Sequence, residues 1–475
     1  MARSSIPSVV PSLLGLCLLG AAPPPTCFGP PRPLSPPGAS ADLSFNFKES
    51  VATLEDGSVH VAWHAGADGA RRVLYHRSPD AGRTWEPPRM LSGEGAEHPA
   101  IAASAGHVYV GWHEATPHGL AVVLRRSTDR GDRFEPPRAL SSSGSAAHVS
   151  LAADGPHVQA VWGDTRSGFA EIFARSSEDG GARFSAERQL SDAPYESWVP
   201  NVDVQGDVAV AAWVDYRDAN EEEYVRVSRD RGATWEPAVR VTTDPADSWA
   251  PSVVVRGDAI FLAWFDRRVA GLSDTDVEEP LDAAMALIGL PPHPAPPRDS
   301  LVYYLPGFQE RIGAKQRAIR SAAPAWVAQG GDAAQLEALI QVFESRRLAW
   351  TKGWGIFLAR SPDLGASWEP ARLVSTPGGP ALRPSLAVWP PHLHLAWFDG
   401  RHGDDEIYYR HSADAGTTLG PEQRVTTASG ASRRPSLAAF GRGVHLLWMD
   451  DRDGEARIWY RRGLTPRPPH ASEMD

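Results

Sequence analysis

Carboxylate and guanidinium groups stand together in five short segments of this 475-residue chain. Each segment has the order Trp-x-Asp-x-Arg, and the segments begin at Trp162, Trp213, Trp264, Trp397 and Trp448. Three of them add an acid nine residues after the tryptophan, at Glu171, Glu222 and Glu406. Acids and arginines on facing loops could cleave a glycosidic bond. Because the pattern recurs, we instead expect aspartate-capped loops and ion pairs between neighbouring units.

Two units depart from this pattern: Trp63 is followed by His64-Ala65, and Trp112 by His113-Glu114. A loop released from a structural pattern can be recruited for acid–base work, which makes Glu114 and His113 candidates for that role. Sequence drift in terminal repeats is the alternative. A metal cluster of His98, His113 and His148 is a further alternative. Spacings near fifty residues are not those of a metal-ligand motif, so we predict no metal and no cofactor.

Seven tryptophans that follow short apolar runs define an internal repeat of about fifty residues. They are Trp63, Trp112, Trp162, Trp213, Trp264, Trp397 and Trp448. Six units also contain a Ser-x-Asp-x-Gly motif, which begins at Ser78, Ser127, Ser177, Ser228, Ser361 and Ser412. In such a turn the Ser or Asp side chain accepts backbone N–H groups and glycine supplies a positive φ. We therefore interpret the motif as structural and not as a calcium loop, for which it has too few carboxylates.

Each unit divides into four short strands with alternating apolar residues, as in 384–388, 392–398, 406–411 and 422–426 of the sixth unit. Four antiparallel strands repeated radially predict an all-β fold, a β-propeller over residues 43–466. Seven blades are the favoured count and six are the alternative. The seventh unit lacks an outer strand, and we expect residues 43–47 to supply it and close the ring.

The residue that precedes each innermost strand is expected to face the mouth of the central channel. Around the ring these residues are Glu49, His98, His148, Val199, Ala250, Arg383 and Arg434. The polar members form one arc, and Trp198 and Trp249 stand on the other side. Such a ring suits an acidic sugar, because guanidinium pairs with carboxylate and indole covers the apolar face of a sugar. The alternative is a solvated mouth whose arginines pack against loops.

The boxes of the form Ser-x-Asp-x-Gly-x-Thr-Trp, such as Ser78 to Trp85, resemble those of the sialidase (neuraminidase) superfamily, also called BNR-repeat proteins. The resemblance covers roughly residues 43–463 apart from an insertion. It implies a six-bladed propeller with three arginines that hold a substrate carboxylate, a tyrosine nucleophile paired with a glutamate, and an aspartate acid/base. Only Arg433, two residues before a proline, matches the arginine pattern. Tyr195 and Glu196 are candidates for the chemistry, with Glu49 and Glu114 as further acids.

The chain has 47 Lys and Arg against 58 Asp and Glu, and it has no long basic run, which argues against nucleic acid as a partner. Residues 1–22 have the features of a secretory signal, and no segment is long and apolar enough to cross a membrane. We therefore predict a secreted or periplasmic protein, with lipid attachment at Cys27 as the alternative to simple export. Residues 23–42 are predicted to be an extended Pro-rich tether, and residues 467–475 a disordered tail.

An insertion at 269–349 interrupts the fifth blade between its second and third strands. Asp332 with Gln335 is typical of a helix capping box. An apolar stripe of the same helix follows, at Leu336, Leu339, Ile340 and Phe343. We expect this stripe to pack on the blade tops, as a lid over the mouth, or against a second chain.

Two functions fit these features. A sialidase-like protein would bind an acidic or polar glycan at the mouth through Arg383, Arg433 and Arg434, and could hydrolyse it as an exo-sialidase-type glycoside hydrolase. A non-catalytic propeller would instead be an extracytoplasmic protein-binding or assembly module that docks through its helical insertion. The sequence leaves turnover open and predicts a glycan or another carboxylate-bearing ligand.

Overall fold

The computed structural model describes residues 25–38, 40–44, 49–67, 69–193, 195–218, 220–244, 246–272, 274–291 and 304–466. The predicted secretory signal and C-terminal tail lie outside these residues. Among the helices described, none is long and apolar enough to span a bilayer.

The first four blades follow two short strands, β1 (Cys27–Phe28) and β2 (Arg32–Pro33). Blade one contains β3 (Ala41–Asp42), β4 (Val51–Thr53), β5 (Val59–Ala65), β6 (Arg72–Ser78) and β7 (Arg89–Met90). Blade two contains β8 (Ala96–Ser104), β9 (His107–Thr116), β10 (Gly119–Ser127) and β11 (Arg138–Ala139). Blade three contains β12 (Ala146–Asp154), β13 (His157–Asp164), β14 (Glu171–Ser177) and β15 (Arg188–Gln189). Blade four contains β16 (Ser197–Gln205), β17 (Val208–Asp215), β18 (Glu222–Ser228) and β19 (Val239–Arg240).

Three further blades complete the ring. Blade five contains β20 (Ser248–Arg256), β21 (Ala259–Asp266), β22 (Gly355–Ser361) and β23 (Arg372–Leu373). Blade six contains β24 (Ala381–Trp389), β25 (His392–His402), β26 (Asp404–Ser412) and β27 (Gln423–Arg424). Blade seven contains β28 (Ser432–Phe440), β29 (Gly443–Asp450) and β30 (Arg457–Leu464). Each blade is one antiparallel sheet, and the predicted seven-bladed β-propeller is confirmed.

The N-terminal segment closes the ring on blade seven. Strands β1 and β2 both pair with β30, so they supply the outer strand of this blade. We expected residues 43–47 there, but β3 and β4 both pair with β5 and form a split inner strand of blade one. Residues 45–48 lie outside the described part of the chain. Much of the segment predicted as a tether is therefore paired with the propeller, because its backbone groups satisfy the free edge of β30.

The seven repeat tryptophans form the core between blades. Each is at most 1% exposed, because the second strand of a blade is covered by its neighbours on both sides. Trp213, for example, packs against Val161 and Ile172 of blade three. Truncating an indole buried to this extent costs about 3–5 kcal/mol, so these residues carry much of the stability of the ring.

The six Ser-x-Asp-x-Gly turns share one hydrogen-bond pattern. In the first, Gly82 N–H donates to Ser78 Oγ at 2.8 Å and Thr84 N–H donates to Asp80 Oδ1 at 2.7 Å. The other five turns have the same two bonds, at 2.7 or 2.8 Å. Gly82 has a φ of 82°, and a Cβ there would overlap the hydroxyl of Tyr460 in blade seven. The turn therefore also packs one blade on the preceding one.

The insertion in blade five contains three helices, α1 (Asp274–Leu287), α2 (Tyr304–Ala328) and α3 (Ala333–Lys352). The Asp332 side chain caps α3 by accepting the N–H groups of Ala334 and Gln335 at 3.0 and 3.2 Å. The apolar stripe of α3 packs mainly on α1 and α2, where Phe343 is fully buried. The stripe therefore belongs to a core of the insertion itself instead of packing on the blade tops, and docking of a second chain through the insertion stays a prediction.

Candidate functional site

A backbone bulge builds the mouth of the channel. In blades two to seven the pairing of the first and second strands shifts by one residue, directly before the position that is proline in five of these blades. The bulged residue has a left-handed φ between 49° and 58° in every case: His98, His148, Val199, Ala250, Arg383 and Arg434. Such a φ is costly for a side chain with a Cβ, so the surrounding sheet must hold it. These six are among the seven ring residues that the repeat predicts, and the seventh is Glu49 of blade one.

Arg383 and Arg434 form the basic side of the mouth. Arg434 pairs with Asp42 of blade one at 2.7 Å. Burial, and then the positive charge of Arg434, lower the pKa of Arg383. Burial raises the pKa of Asp42, although the charges of Arg434 and Arg383 oppose this shift. Two guanidinium groups thus act on the carboxyl group of Asp42 in a partly buried place.

Arg433 does not join this pair. Its guanidinium Nε forms a short ion pair with Asp405 of blade six, and its side chain is 46% exposed. The neighbouring residue Arg434 is the bulged residue, and it pairs with Asp42 of blade one instead. Of the three arginines that the sequence suggests for a carboxylate, the structure brings two together.

Four histidines line the side of the mouth formed by blades one to three. The ring centres of His98, His113 and His148 lie 5.4 to 5.5 Å apart, and His64 lies 5.0 Å from His98. His98, His113 and His148 are ligand-binding candidates that we predict from the sequence, whereas His64 is not among them. The signal was present, because His64 and His113 both directly follow a repeat tryptophan.

Backbone hydrogen bonds fix the protonation of two of these rings. His98 N–H donates to His64 Nδ1 at 2.9 Å, and His148 N–H donates to His113 Nδ1 at 3.4 Å. Burial lowers the pKa of His64 to about 3 and that of His113 to about 4, so both are neutral at pH 7. A neutral ring that accepts at Nδ1 bears its proton on Nε2 and is a donor, not a metal ligand, at that atom. Among the described residues no group of His, Cys, Asp or Glu has the geometry of a metal site.

Glu49, a candidate for catalysis, lies inside the channel. In most blades a first-strand Ser or Asn side chain accepts an N–H of the next blade, as Ser150 does from Val202. Ala100 of blade two has no such side chain, and Glu49 instead accepts Leu151 N–H at 2.8 Å. Its carboxylate also accepts bonds from Ser150 and Asn201. Glu49 therefore completes a hydrogen-bonded ring of inner strands, which is a structural role.

The other candidate acids hold indole groups. Glu114 accepts from Trp112 Nε1 at 2.7 Å, just as Asp215 accepts from Trp213 Nε1 at 3.0 Å two residues after its own tryptophan. Glu114 therefore replaces the aspartate of the other blades. Glu196 accepts from Trp198 Nε1 at 2.8 Å, and burial raises its pKa.

Trp198 and Trp249 are the residues that we predict on the apolar side of the mouth. Both are half-buried and pack against the core shared by blades four to six. Tyr195, the candidate nucleophile, contacts the rings of Phe169 and Tyr216 instead of the carboxylate of Glu196.

The Trp-x-Asp-x-Arg segments are scaffold, but not in the way we expected. Arg217 pairs with Asp215 of its own loop at 2.7 Å and stacks 4.5 Å over the ring of Tyr224 in the same blade. The arginines of the other four segments do the same with their own aspartates and aromatic rings. The predicted ion pairs between units are wrong for this motif, because each guanidinium folds back over the third strand.

No family model matches the chain, and no curated protein matches it. Among solved structures, an ulvan lyase that represents a new family of polysaccharide lyase is similar over 88% of this chain and 93% of its own. The TM-score is 0.52 and the sequence identity 10%. The phage phi92 endosialidase is similar over 92% of this chain and 70% of its own, with a TM-score of 0.46 and 8% identity.

Trypanosoma rangeli sialidase, in complex with the inhibitor DANA, is similar over 79% of this chain, with a TM-score of 0.41 and 8% identity. The chain spans 56% of the length of that sialidase. Similarity at these identities concerns the fold and not the site. The chain is therefore a seven-bladed β-propeller whose fold is similar to that of a polysaccharide lyase.

Proposed function

We propose that this propeller binds an acidic glycan at the mouth of its channel. The carboxylate of the glycan is held by Arg383 and Arg434, and the apolar face of the sugar packs on Trp198 and Trp249. The observation that carries this proposal is that two partly buried guanidinium groups, of Arg383 and Arg434, both act on the carboxyl group of Asp42. An anionic ligand would pair with these guanidinium groups and replace their lost hydration.

The histidines support the same ligand. His64 and His113 carry neutral N–H donors, and the charge of Arg434 acts on His64. Sugar hydroxyl and carboxylate oxygens accept hydrogen bonds from such donors. The named properties of the structural neighbours point the same way, since one is a polysaccharide lyase and the others are an endosialidase and a sialidase.

The test compares three neighbouring arginines. We expect Arg383→Ala and Arg434→Ala to weaken binding of sialylated or glucuronic-acid oligosaccharides about 10- to 100-fold, the value of a lost charged hydrogen bond. Arg433→Ala is the matched control, because Arg433 is paired with Asp405 and should not contact the ligand. Calorimetry with native and carboxyl-reduced oligosaccharides measures the effect. Equal binding of the reduced sugars, or unchanged binding in both variants, would contradict the proposal.

The proposal concerns binding and leaves hydrolysis to a separate assay. Tyr195 and Glu196 are engaged by neighbouring aromatic groups, and the described geometry does not pair them as a nucleophile and its base. Incubation with fluorogenic sialosides and uronic-acid glycosides measures turnover. Release of the fluorophore that is lost in Arg383→Ala would assign hydrolysis to the same mouth.

A further inference from the structure

Three aromatic side chains meet on the mouth face of blades three and four. The ring of Tyr195 lies 6.4 Å from that of Phe169 and 6.3 Å from that of Tyr216, edge-on in both cases. All three side chains are half-buried, so part of each ring is open to solvent. They come from three different loops. We call Phe169, Tyr195 and Tyr216 the rim cluster.

The rim cluster is not part of the repeated scaffold. Tyr195 lies eighteen residues before the repeat tryptophan of its blade, where blade one has Phe45 and the other blades have Glu94, Gly144, Ala246, Gly379 and Gly430. Tyr216 lies three residues after that tryptophan, where other blades have Gly66, Ala115, Thr165, Arg267, Gly400 and Asp451. An aromatic residue needed to build a blade would recur at these positions in most blades. Half-exposed aromatic rings outside the scaffold are typical of a binding surface.

One loop joins the rim cluster to Trp198, which we place on the apolar side of the mouth. Glu196 lies between Tyr195 and Trp198 along one loop. Its backbone carbonyl accepts the N–H of Tyr216 at 3.0 Å, and its carboxylate accepts the indole N–H of Trp198 at 2.8 Å. The loop thus fixes the position of Trp198 relative to the rim cluster. A ligand that covers Trp198 can therefore extend onto the rim cluster.

The charges beside the rim cluster differ from those at the arginines. Glu196 and the exposed Asp192 lie next to it in the sequence. The nearest cation recorded for Asp192 is Arg217, at 3.8 Å, and that guanidinium is already held by Asp215 at 2.7 Å. A second carboxylate or sulfate placed here would be repelled, whereas an uncharged sugar ring would not.

We propose that the rim cluster is a second sugar subsite, which takes the apolar face of an uncharged sugar ring. This inference rests on the proposed function and narrows its ligand. The acidic sugar occupies the arginine side of the mouth, and a neutral sugar linked to it stacks on Tyr195 and Tyr216. The ligand is then an oligosaccharide that contains both kinds of sugar.

The experiment measures Kd by calorimetry for matched probes. They are N-acetylneuraminic acid and glucuronic acid as monosaccharides, each acid linked to galactose, and each acid linked to a second copy of itself. For whichever of the two acids binds, we expect the acid linked to galactose to bind about 10-fold more tightly than the acid alone. Tyr195→Ala should remove this gain and leave the Kd of the monosaccharide unchanged. Trp389→Ala is the control, because Trp389 is an aromatic residue that is 39% exposed and lies on the opposite face.

Three results would overturn the inference while leaving the mouth site intact. They are an equal loss for monosaccharide and disaccharide in Tyr195→Ala, no loss for either, and binding of the doubly acidic probe as tight as that of the galactose-linked one. Failure of the proposed function itself gives a different pattern, in which all probes fail to bind or Arg383→Ala binds them as the wild type does.

Discussion

Glu223 is a fully buried carboxyl group at a position where the other blades have an aliphatic residue. The corresponding residues, which pair with the residue after the repeat tryptophan, are Val73, Val122, Ile172, Ile356, Ile407 and Ile458. Within the described residues neither carboxylate oxygen of Glu223 has a hydrogen-bond partner. Burial, and then the charges of Glu222, Asp266 and Glu221, raise its pKa well above 4.5. We predict that Glu223→Ile stabilises the protein.

The magnitude follows from the linkage between protonation and folding. In the unfolded chain the pKa of this carboxyl is near 4.5, whereas burial in the fold raises its pKa well above that value. The free energy of unfolding therefore falls by about 1.4 kcal/mol for each pH unit above 4.5, until the raised pKa is passed. At pH 7 the loss reaches at most about 3 kcal/mol. Substitution by isoleucine also removes an unpaired buried polar group, which costs about 1–3 kcal/mol at any pH.

Urea unfolding followed by tryptophan fluorescence measures the effect. We expect Glu223→Ile to raise the free energy of unfolding by about 3 kcal/mol or more at pH 7 and by about 1 kcal/mol at pH 4.5. Glu222→Ile is the matched control and should be destabilising, because Glu222 accepts from Thr242 and pairs with Arg240. Destabilisation by Glu223→Ile at pH 7, or a gain that does not shrink in acid, would refute the reasoning.

Three further predictions concern stability. The lowered pKa of His64 makes the free energy of unfolding fall as the pH drops below 6.5. His64→Gln should therefore reduce this loss by about 3 kcal/mol at pH 4. An unchanged dependence of the unfolding free energy on acid pH would contradict this. Trp350→Ala removes the ring that stacks 4.7 Å from the Arg267 guanidinium, so proteolysis should cut the insertion faster while the propeller stays intact. In a thermal unfolding assay, Gly82→Ala should lower the free energy of unfolding by about 2–4 kcal/mol, because its Cβ would overlap the Tyr460 hydroxyl. Gly57 has a φ of 80° but open space around it, so Gly57→Ala should lower the free energy of unfolding by about 1 kcal/mol in the same assay.

Local spacing was sufficient to predict the blades. A tryptophan recurs about every fifty residues, and a turn motif follows it at a constant distance. This spacing predicts which strand is innermost and which loop is tight, because both depend on residues that are close in sequence. The same spacing separated most scaffold residues from candidates, since Asp215 and Arg217 recur and Arg383 does not. It also indicated the bulged ring positions, which depend on one strand and its partner.

The partners of the candidate residues could not be read from spacing. Glu114 and Glu196 look like free acids in the sequence, and only the folded loops show that each holds an indole N–H. The apolar stripe of α3 was visible, but its partner α1 was not predicted, so the core of the insertion was missed. The outer strand of blade seven was misplaced for a similar reason, because two-residue strands such as β1 and β2 have no alternating pattern.

By itself the sequence determined the repeat, the strand order and the chemical types that line the mouth. Tertiary structure decided which charges meet there. Asp42 and Arg434 are 392 residues apart and become neighbours only when the ring closes, while Glu49 reaches blades three and four across the channel. Contacts of this kind depend on closure of the whole ring, which no local pattern encodes, and they set the field in which a ligand would bind.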